Sequence, residues 1–381
     1  MNKSWKTYKL GDLVTFQRGH DLTKAENIEG KYLIAGSNGI IGYHNSYTTK
    51  GPGVTIGRSG NIGNAYYYEE DFWAHNTTLY VKEFKNSDPK FIYYLLRNLN
   101  FGGHNSGSAV PSLNRNYIHP IEVLAPETIT EQKEIASILS SLDDKIELNL
   151  QMNQTLEAMA QALFKEWFVN FNFPGFDGKL ENYLPIGWKE EKLSNAVEVK
   201  GGTTPSTKES KFWDGEFHWA TPKDLSNLQS PVLLTTERKI TEAGVKEIGS
   251  GILPKGTLLL SSRAPVGYLA VSQIPVSINQ GFIAIQGKSV SNLFMFFWLV
   301  QNMELVKSKA NGSTFQEVSK GSFKEIEIVV PSKNIVDLFD EVISPIFERI
   351  VNNEKENQAL TQLRDSLLPK LMSGKITVNN N

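Results

Sequence analysis

The same seam of side chains occurs twice in this chain, and few folds are open to a chain built that way. Stepping alternately by four and three residues, the first seam runs Leu142, Ile146, Asn149, Asn153, Leu156, Ala160, Leu163 and Trp167. The second runs Ile346, Ile350, Asn353, Asn357, Leu360, Arg364, Leu367 and Leu371, each member 204 positions after its counterpart. Such spacing describes paired helices in a coiled coil, where a buried polar residue fixes register at some cost in stability. Two amphipathic helices, each facing its own core, would show a similar apolar stripe. Matched pairs of asparagines are not something an ordinary core selects, so the spacing predicts that the two helices pair.

The repeat extends beyond the helices. SWKTYKLGDLVTFQRG near the start returns as GWKEEKLSNAVEVKGG, with Trp5 matching Trp188 and Gly19 matching Gly202 at a shift of 183. Further on, Ile56–Gly63 matches Leu260–Gly267 at a shift of 204. His75-Asn76 is aligned with Ile278-Asn279, Gly107-Ser108 with Gly312-Ser313, and Ile118–Glu127 with Phe323–Ser332. The changed shift places about twenty extra residues in the second copy, around Pro205–Gly256. The order is globular unit, long helix, globular unit, long helix.

Within a unit the signals are mixed. Gly256–Ser261, Tyr268–Ser272 and Phe282–Gln286 read as strands between Gly/Pro turns, while Phe91–Asn98 and Leu293–Lys307 read as helices. An α+β fold class follows. Only the short linker 170–187 joins the first helix to the second unit. If the helices pair antiparallel, Asn149 faces Asn357 and Asn153 faces Asn353 about a pseudo-twofold axis. The seam from Leu142 to Trp167 is then about 40 Å long, against about 34 Å per turn of B-DNA.

A chain of 381 residues has room for two or three domains. It has no cysteine, hence no disulfide, thiolate zinc site or cysteine nucleophile, and a reducing cytoplasm fits. The N-terminal stretch lacks the apolar core of a signal peptide, and the longest apolar run, Leu293–Val300, is far too short for a membrane span. A cytoplasmic protein with no membrane partner is expected. The net charge is −2: residues 1–125 sum to +3, 126–170 to −5, 171–330 to +1 and 331–381 to −1. With so little net charge, any binding to nucleic acid would have to rest on local basic clusters or on a basic partner.

Catalytic motifs fail in turn. Gly287–Ser289 lacks the upstream glycine of a phosphate loop, because Phe282 stands there, and no GxGxxG follows a strand. No diproline occurs, so the Asn/Asp-Pro-Pro-aromatic motif of adenine methyltransferases is absent. The six histidines are too scattered for a metal spacing. Asp71, Glu83 and Lys85 could be forced into a nuclease-like trio, but that pattern is common by chance and a solvated acidic face explains them better. The expectation is a chain with no catalytic residues, no metal site and no cofactor of its own.

What remains at matching places suits phosphates and base edges. In the first copy this set is Arg58, Ser59, Asn61, Asn76, Asn105, Ser106, Ser108, Asn114 and Arg115. In the second it is Ser261, Ser262, Arg263, Asn279, Gln280, Asn311, Ser313, Thr314 and Lys320. Taken singly, several suit a structural duty better: Asn76 and Asn279 could bond turn backbone, and Gly63 and Gly267 could serve backbone conformation. The repetition raises the set rather than any one member.

These features together resemble the specificity (S) subunit of type I restriction-modification systems, the HsdS family, over nearly the whole chain. The carriers are the W-x4-L starts at Trp5 and Trp188, the SSRAPVG and INQGF strings from Ser261 and Ile278, and the GSTF-x4-KGSFKEIEIVVP block from Gly312. The central EQKEIASILSSLDDKIELN and the tail LTQLRDSLLPKLMSGKI complete them. The resemblance implies a first target recognition domain at 1–125 and a central long helix at 126–170. A linker and second target recognition domain follow at 171–330, with the C-terminal long helix and tail at 331–381. The implied fold is two globular α+β domains in tandem repeat, separated by two long helices that pair as an antiparallel coiled coil with pseudo-twofold symmetry. Each domain would read half of a bipartite site in double-stranded DNA, and the helices would set the spacer. The helices would also dock two methyltransferase (M) subunits, which carry S-adenosylmethionine and act on flipped adenines. Two restriction (R) subunits, motor-nucleases using ATP and Mg, would join for cleavage. Departures occur where Asn76-Thr77-Thr78 stands against Asn279-Gln280-Gly281, and Gly107-Ser108-Ala109-Val110 against Gly312-Ser313-Thr314-Phe315. An enzyme acting alone, and a coiled-coil scaffold that never touches DNA, are the competing readings.

Overall fold

The computed structural model describes residues 5–101, 112–263, 265–312 and 316–378. By contact density the chain forms two units, Met1–Ile146 with Ala359–Asn381, and Glu147–Gln358. The central helix, Ile129–Phe168, and the C-terminal helix, Lys333–Met372, each have 40 residues and contribute to both units.

The helices are antiparallel. In the second unit Asn149 meets Asn357, Asn153 meets Asn353, and the Trp167 and Phe339 rings lie 5.8 Å apart. In the first unit Asp143 and Arg364 pair at 2.6 Å. Each step up one helix is matched by the same step down the other. Arg364 occupies a seam position where its counterpart is Ala160, which is 1% exposed. A charge there needs a partner, and Asp143, beside seam residue Leu142, supplies it.

In the first unit, β1 (Trp5–Lys9) pairs antiparallel with β9 (Glu122–Pro126). A four-stranded sheet has the order β2 (Val14–Arg18), β8 (Thr78–Phe84), β5 (Gly53–Gly57), β6 (Ala65–Tyr68). A three-stranded sheet has the order β4 (Gly39–His44), β3 (Tyr32–Gly36), β7 (Trp73–Ala74), with β3 and β7 parallel.

The second unit repeats this plan after a short hairpin, β10 (Leu180–Glu181) with β11 (Leu184–Pro185). Its outer pair is β12 (Lys189–Lys192) with β21 (Glu327–Val330). The larger sheet runs β13 (Val197–Gly201), β20 (Phe282–Gly287), β17 (Leu258–Ser261), β18 (Leu269–Ser272), β15 (Val232–Leu233). The smaller runs β16 (Arg238–Ile240), β14 (Trp213–Ala220), β19 (Val276–Ile278). Strand β15 has no counterpart in the first unit's four-stranded sheet and is made by the extra residues.

Each unit seats a short helix against the long ones. Pro89–Asn98 starts at Asp88, whose carboxylate accepts from the Phe91 amide at 2.9 Å, with Pro89 at the first turn. Its Phe91, Ile92 and Leu95 share a core with Ile135 and Leu139 of the central helix and Leu371 of the C-terminal helix. In the second unit Ser291 caps Asn292–Gln301 in the same way. Phe294, Phe297 and Trp298 of that helix pack with Phe164, Trp167 and Phe339. The single helix expected over Leu293–Lys307 is instead two, Asn292–Gln301 and Met303–Ser308. Asn302 divides them: its side-chain amide donates to the Trp298 carbonyl at 2.9 Å, competing with the backbone for that acceptor. Among the described residues no helix is long and apolar enough to cross a membrane.

Candidate nucleic-acid interface

In the first unit the exits of β2, β5 and β7 converge. Gly19 follows β2, and a Cβ there would lie 2.1 Å from the His75 carbonyl oxygen, so the close approach requires glycine. At the exit of β5 the Arg58 amide donates to Thr77 O at 2.8 Å, and its Nη1 reaches Asn76 O at 3.3 Å. The Asn76 side-chain amide donates to the Asp21 carboxylate, which also pairs with Arg18 at 2.9 Å. The Asn76 hydrogen bond, helped by Arg18, holds the Asp21 carboxyl below the usual carboxylate range. Asp21 therefore stays ionised and fixes two polar side chains at once.

The Leu113 amide donates to Arg58 O at 2.8 Å and draws in the segment carrying Asn114 and Arg115. Asn114 caps the short helix Arg115–Ile118, its side chain accepting from the Asn116 amide at 2.9 Å. Arg18, Arg58 and Arg115 line one cleft of about 730 Å³, together with Asn114 and Asn116. Below it, His119 Nε2 accepts from the Phe16 amide at 3.0 Å. Burial, with Lys85 and Arg115 adding to it, lowers the His119 pKa, so the ring stays neutral and acts as an acceptor. The cleft thus gathers three guanidinium groups, two of them fixed, Arg18 on Asp21 and Arg58 on Asn76 O, and suits phosphate or a guanine edge.

The second unit uses the same frame with different groups. The Ser262 amide donates to Gly281 O at 2.8 Å and the Asn279 amide to Ala220 O at 3.0 Å. In the first unit the Arg58 amide bonds Thr77 O and the His75 amide bonds Ala35 O at 3.0 Å. Strand pairing agrees, since Gly57 opposes Thr78 where Ser261 opposes Phe282. The shift of 204 therefore continues through this loop. The counterpart of Asn76 is Gln280, a correction to the one-residue-slipped alignment of His75-Asn76 with Ile278-Asn279. The side chains follow this register: Gln280 Oε1 accepts from Thr204 Oγ1 at 2.5 Å, where Asn76 bonds Asp21. A Cβ at Gly202 would come 1.8 Å from the Ile278 carbonyl oxygen, repeating the constraint at Gly19.

The remaining candidates divide. Lys320 opens the helix Lys320–Lys324, capped by Ser319, and crosses Gly201, where a Cβ would meet its Nζ at 2.9 Å. Gly201 is the counterpart of Arg18, so Lys320 lies across the space an arginine takes in the first copy. Arg263 sits 3.8 Å from Glu317, whose backbone pairs with exposed Asn311. Asn279 accepts from the Gly281 amide at 2.9 Å, a turn-forming bond. Ser261 is fully buried, its hydroxyl donating to Pro265 O and accepting from the Tyr268 amide, both at 2.8 Å. Ser262 is 3% exposed. The Ser261 hydroxyl is thus engaged within the loop, and Ser262 bonds through its backbone to Gly281 and Val318. Ser59 is half-buried and Asn61 exposed, on the turn leaving β5. Asn105, Ser106, Ser108, Ser313 and Thr314 lie outside the described residues.

Asp71, Glu83 and Lys85 bond to separate places: the Gly51 amide, Thr15 and the Gly11 carbonyl. Among the described residues no cluster of His, Asp and Glu could hold a metal.

Residues 2–158 and 185–364 match the type I restriction modification DNA specificity domain. The chain belongs to that family. The MjaIX specificity subunit of a type I restriction enzyme from Methanocaldococcus jannaschii is 40% identical over 183 residues, 47% of this chain and 42% of that one. The HindI specificity subunit of Haemophilus influenzae is 27% identical over 330 residues, 70% and 71% of the two chains. The fold is similar to a crystal structure of a type I restriction-modification system S subunit from M. genitalium, with a TM-score of 0.65 and 17% identity, covering 100% and 98% of the two chains. In this specificity-family chain, sequence reasoning missed Arg18, Asp21 and Thr204. The signal for them was present in the Gly19/Gly202 match, since Asp21 and Thr204 follow those glycines by equal steps.

Proposed function

We propose that the chain is the DNA-reading subunit of a type I restriction-modification complex, with one half of a split DNA site read by each of the regions 1–125 and 171–330. The observation that carries this is the common frame bearing different groups: Asn76 on Asp21 in one copy, Gln280 on Thr204 in the other. Two readers of unlike half-sites need a shared scaffold and divergent polar edges, whereas a scaffold protein needs neither. The cleft gathering Arg18, Arg58 and Arg115 supports DNA as the ligand.

The paired helices set the number of unread base pairs between the halves and dock two methyltransferase subunits. Those subunits carry S-adenosylmethionine and flip the target adenines. Restriction subunits bring ATP, Mg and cleavage. The chain's own residues position DNA, and chemistry belongs to the partners.

The test is a map of methylated adenines in cells with and without this gene. Loss of a split motif with one adenine in each half is expected. An unchanged map overturns the reading, as does turnover by the purified chain alone with methyl donor or magnesium.

A further inference from the structure

The smaller sheet of the second unit carries a feature that its counterpart in the first unit lacks. Arg238 stands on edge strand β16 and is exposed, while its cross-strand partner Trp219 is 3% exposed. The guanidinium carbon lies 3.5 Å from the Trp213 ring centroid and 5.6 Å from that of Trp219. The two indoles meet edge to face, centroids 5.0 Å apart at 83°, and form a rigid buried floor. Trp219 Nε1 donates to Thr203 O at 3.3 Å and Trp213 Nε1 to Ser206 O at 3.0 Å. The intervening Thr204 is the residue bonded to Gln280, so the stack adjoins the candidate interface.

In the first unit the matching position is empty of charge. The His75–Ala35 and Asn279–Ala220 hydrogen bonds make Ile34 the counterpart of Trp219. The cross-strand partner of Ile34 is Gly42, where that of Trp219 is Arg238. Among the described residues no carboxylate pairs with Arg238. A guanidinium held flat on an aromatic floor has lost most of its freedom before any ligand arrives, while the donors on its edge remain unspent. Bidentate contact with guanine N7 and O6 requires a planar fork of that kind, whereas a phosphate contact needs only a charge.

We propose that Arg238 is a guanine-reading side chain of the second unit. This rests on the reading that the unit contacts DNA. It names a specificity-determining residue, and the closing experiment separates the two. The full chain, expressed with its methyltransferase partner in a host free of other adenine methylation, is compared with R238K and R238Q by mapping methylated sites. Binding of each assembled complex to its cognate duplex is measured across salt concentrations, and melting of each chain is recorded.

Both variants should tolerate other bases at one guanine of one half-site, discrimination there falling about 5- to 100-fold. The other half and the spacer should stay as they are. A wild-type map with no split motif overturns the functional reading and this inference with it. A wild-type split motif that both variants preserve base for base overturns the inference alone, whether or not the salt slope drops as for a phosphate contact. Early melting of both variants with loss of methylation in both halves also overturns it, by giving the stack a purely structural duty.

Discussion

Asn353 donates its side-chain amide to Asn153 Oδ1 at 2.8 Å within the helix pair, both residues being 1% exposed. The crossing repeats one turn away, where Asn149 donates to Asn357 at 2.9 Å. Asn149 and Asn353 are counterparts in the repeat, so the pseudo-twofold relation extends to which side chain donates. It stops at the flanking carboxylates. Asn149 also reaches Glu356 at 2.8 Å, and Asn153 reaches Glu354 at 3.0 Å. The symmetry mates of those glutamates are Met152 and Leu150, and among the described residues the buried Asn357 amide nitrogen has no hydrogen-bond partner.

That asymmetry separates two substitutions. Asn353→Leu strands the Asn153 carbonyl and should lower stability by about 1–3 kcal/mol, the cost of an unpaired buried group. Asn357→Leu removes the oxygen that accepts from Asn149 together with an amide nitrogen that is already unpaired, and Asn149 keeps Glu356, so it should cost about 1 kcal/mol less. Chemical unfolding midpoints of the two variants check this; equal midpoints, or the reverse order, would contradict it.

Asp143 binds Tyr94 Oη at 2.6 Å, Arg364 at 2.6 Å and Arg97 at 3.4 Å. Replacing it by alanine leaves the largely buried Arg364 guanidinium with Asp365 as its remaining carboxylate, at 2.8 Å, and a phenol without its acceptor. Because the carboxylate is partly solvated, the loss should be about 2–3 kcal/mol, below the value for a fully buried pair. The double variant D143A/R364L should recover most of that loss, as urea unfolding would show.

Glu157 of the central helix carries a carboxyl pushed up to about 7, first by burial and then by Glu354. The native state therefore holds a proton that the unfolded chain releases at ordinary carboxylate pH. Between about 4.5 and 7 the native state binds more protons, so stability falls as pH rises through this window. Glu157→Gln should flatten that fall and leave the variant more stable than the parent at pH 8. Melting temperatures across the range measure it, and an unchanged slope would refute it.

Much of this fold was legible because a repeat reads itself: each seam fixes the other's register, and the asparagine contacts follow once the helices run antiparallel. The slip at His75-Asn76 had a physical cause. HNTT and INQG share too little for sequence to distinguish shifts one residue apart, whereas main-chain hydrogen bonds decide at once. The candidate site was legible only as a set. Ser261 and Ser262 look like contacts in a Ser-Ser-Arg turn, but both are buried and the Ser261 hydroxyl is engaged within the loop. Asp21 was missed because an acid is not sought in a DNA-binding site, although here it orders Arg18 and Asn76. Arg238 stands where the first copy has Gly42, in a stretch that the second copy lengthens, so the sequence repeat alone does not align the two.

The arginine cleft yields the last expectation. Arg115 begins a short exposed helix and lines the cleft, and among the described residues no hydrogen bond fixes its plane, whereas Arg58 is held against Asn76 O at 3.3 Å. A loosely held cation at a groove margin serves phosphate, and a fixed fork serves a base edge. In the assembled complex Arg115→Ala should weaken binding to all duplexes alike and reduce the salt slope by about 1. Arg58→Ala should relax one base in the half-site opposite the one altered by R238Q. Mapping both variants, with salt titrations on cognate and scrambled duplexes, distinguishes these roles. Relaxation of the same half-site by Arg58→Ala and R238Q would break the assignment of one half to each unit.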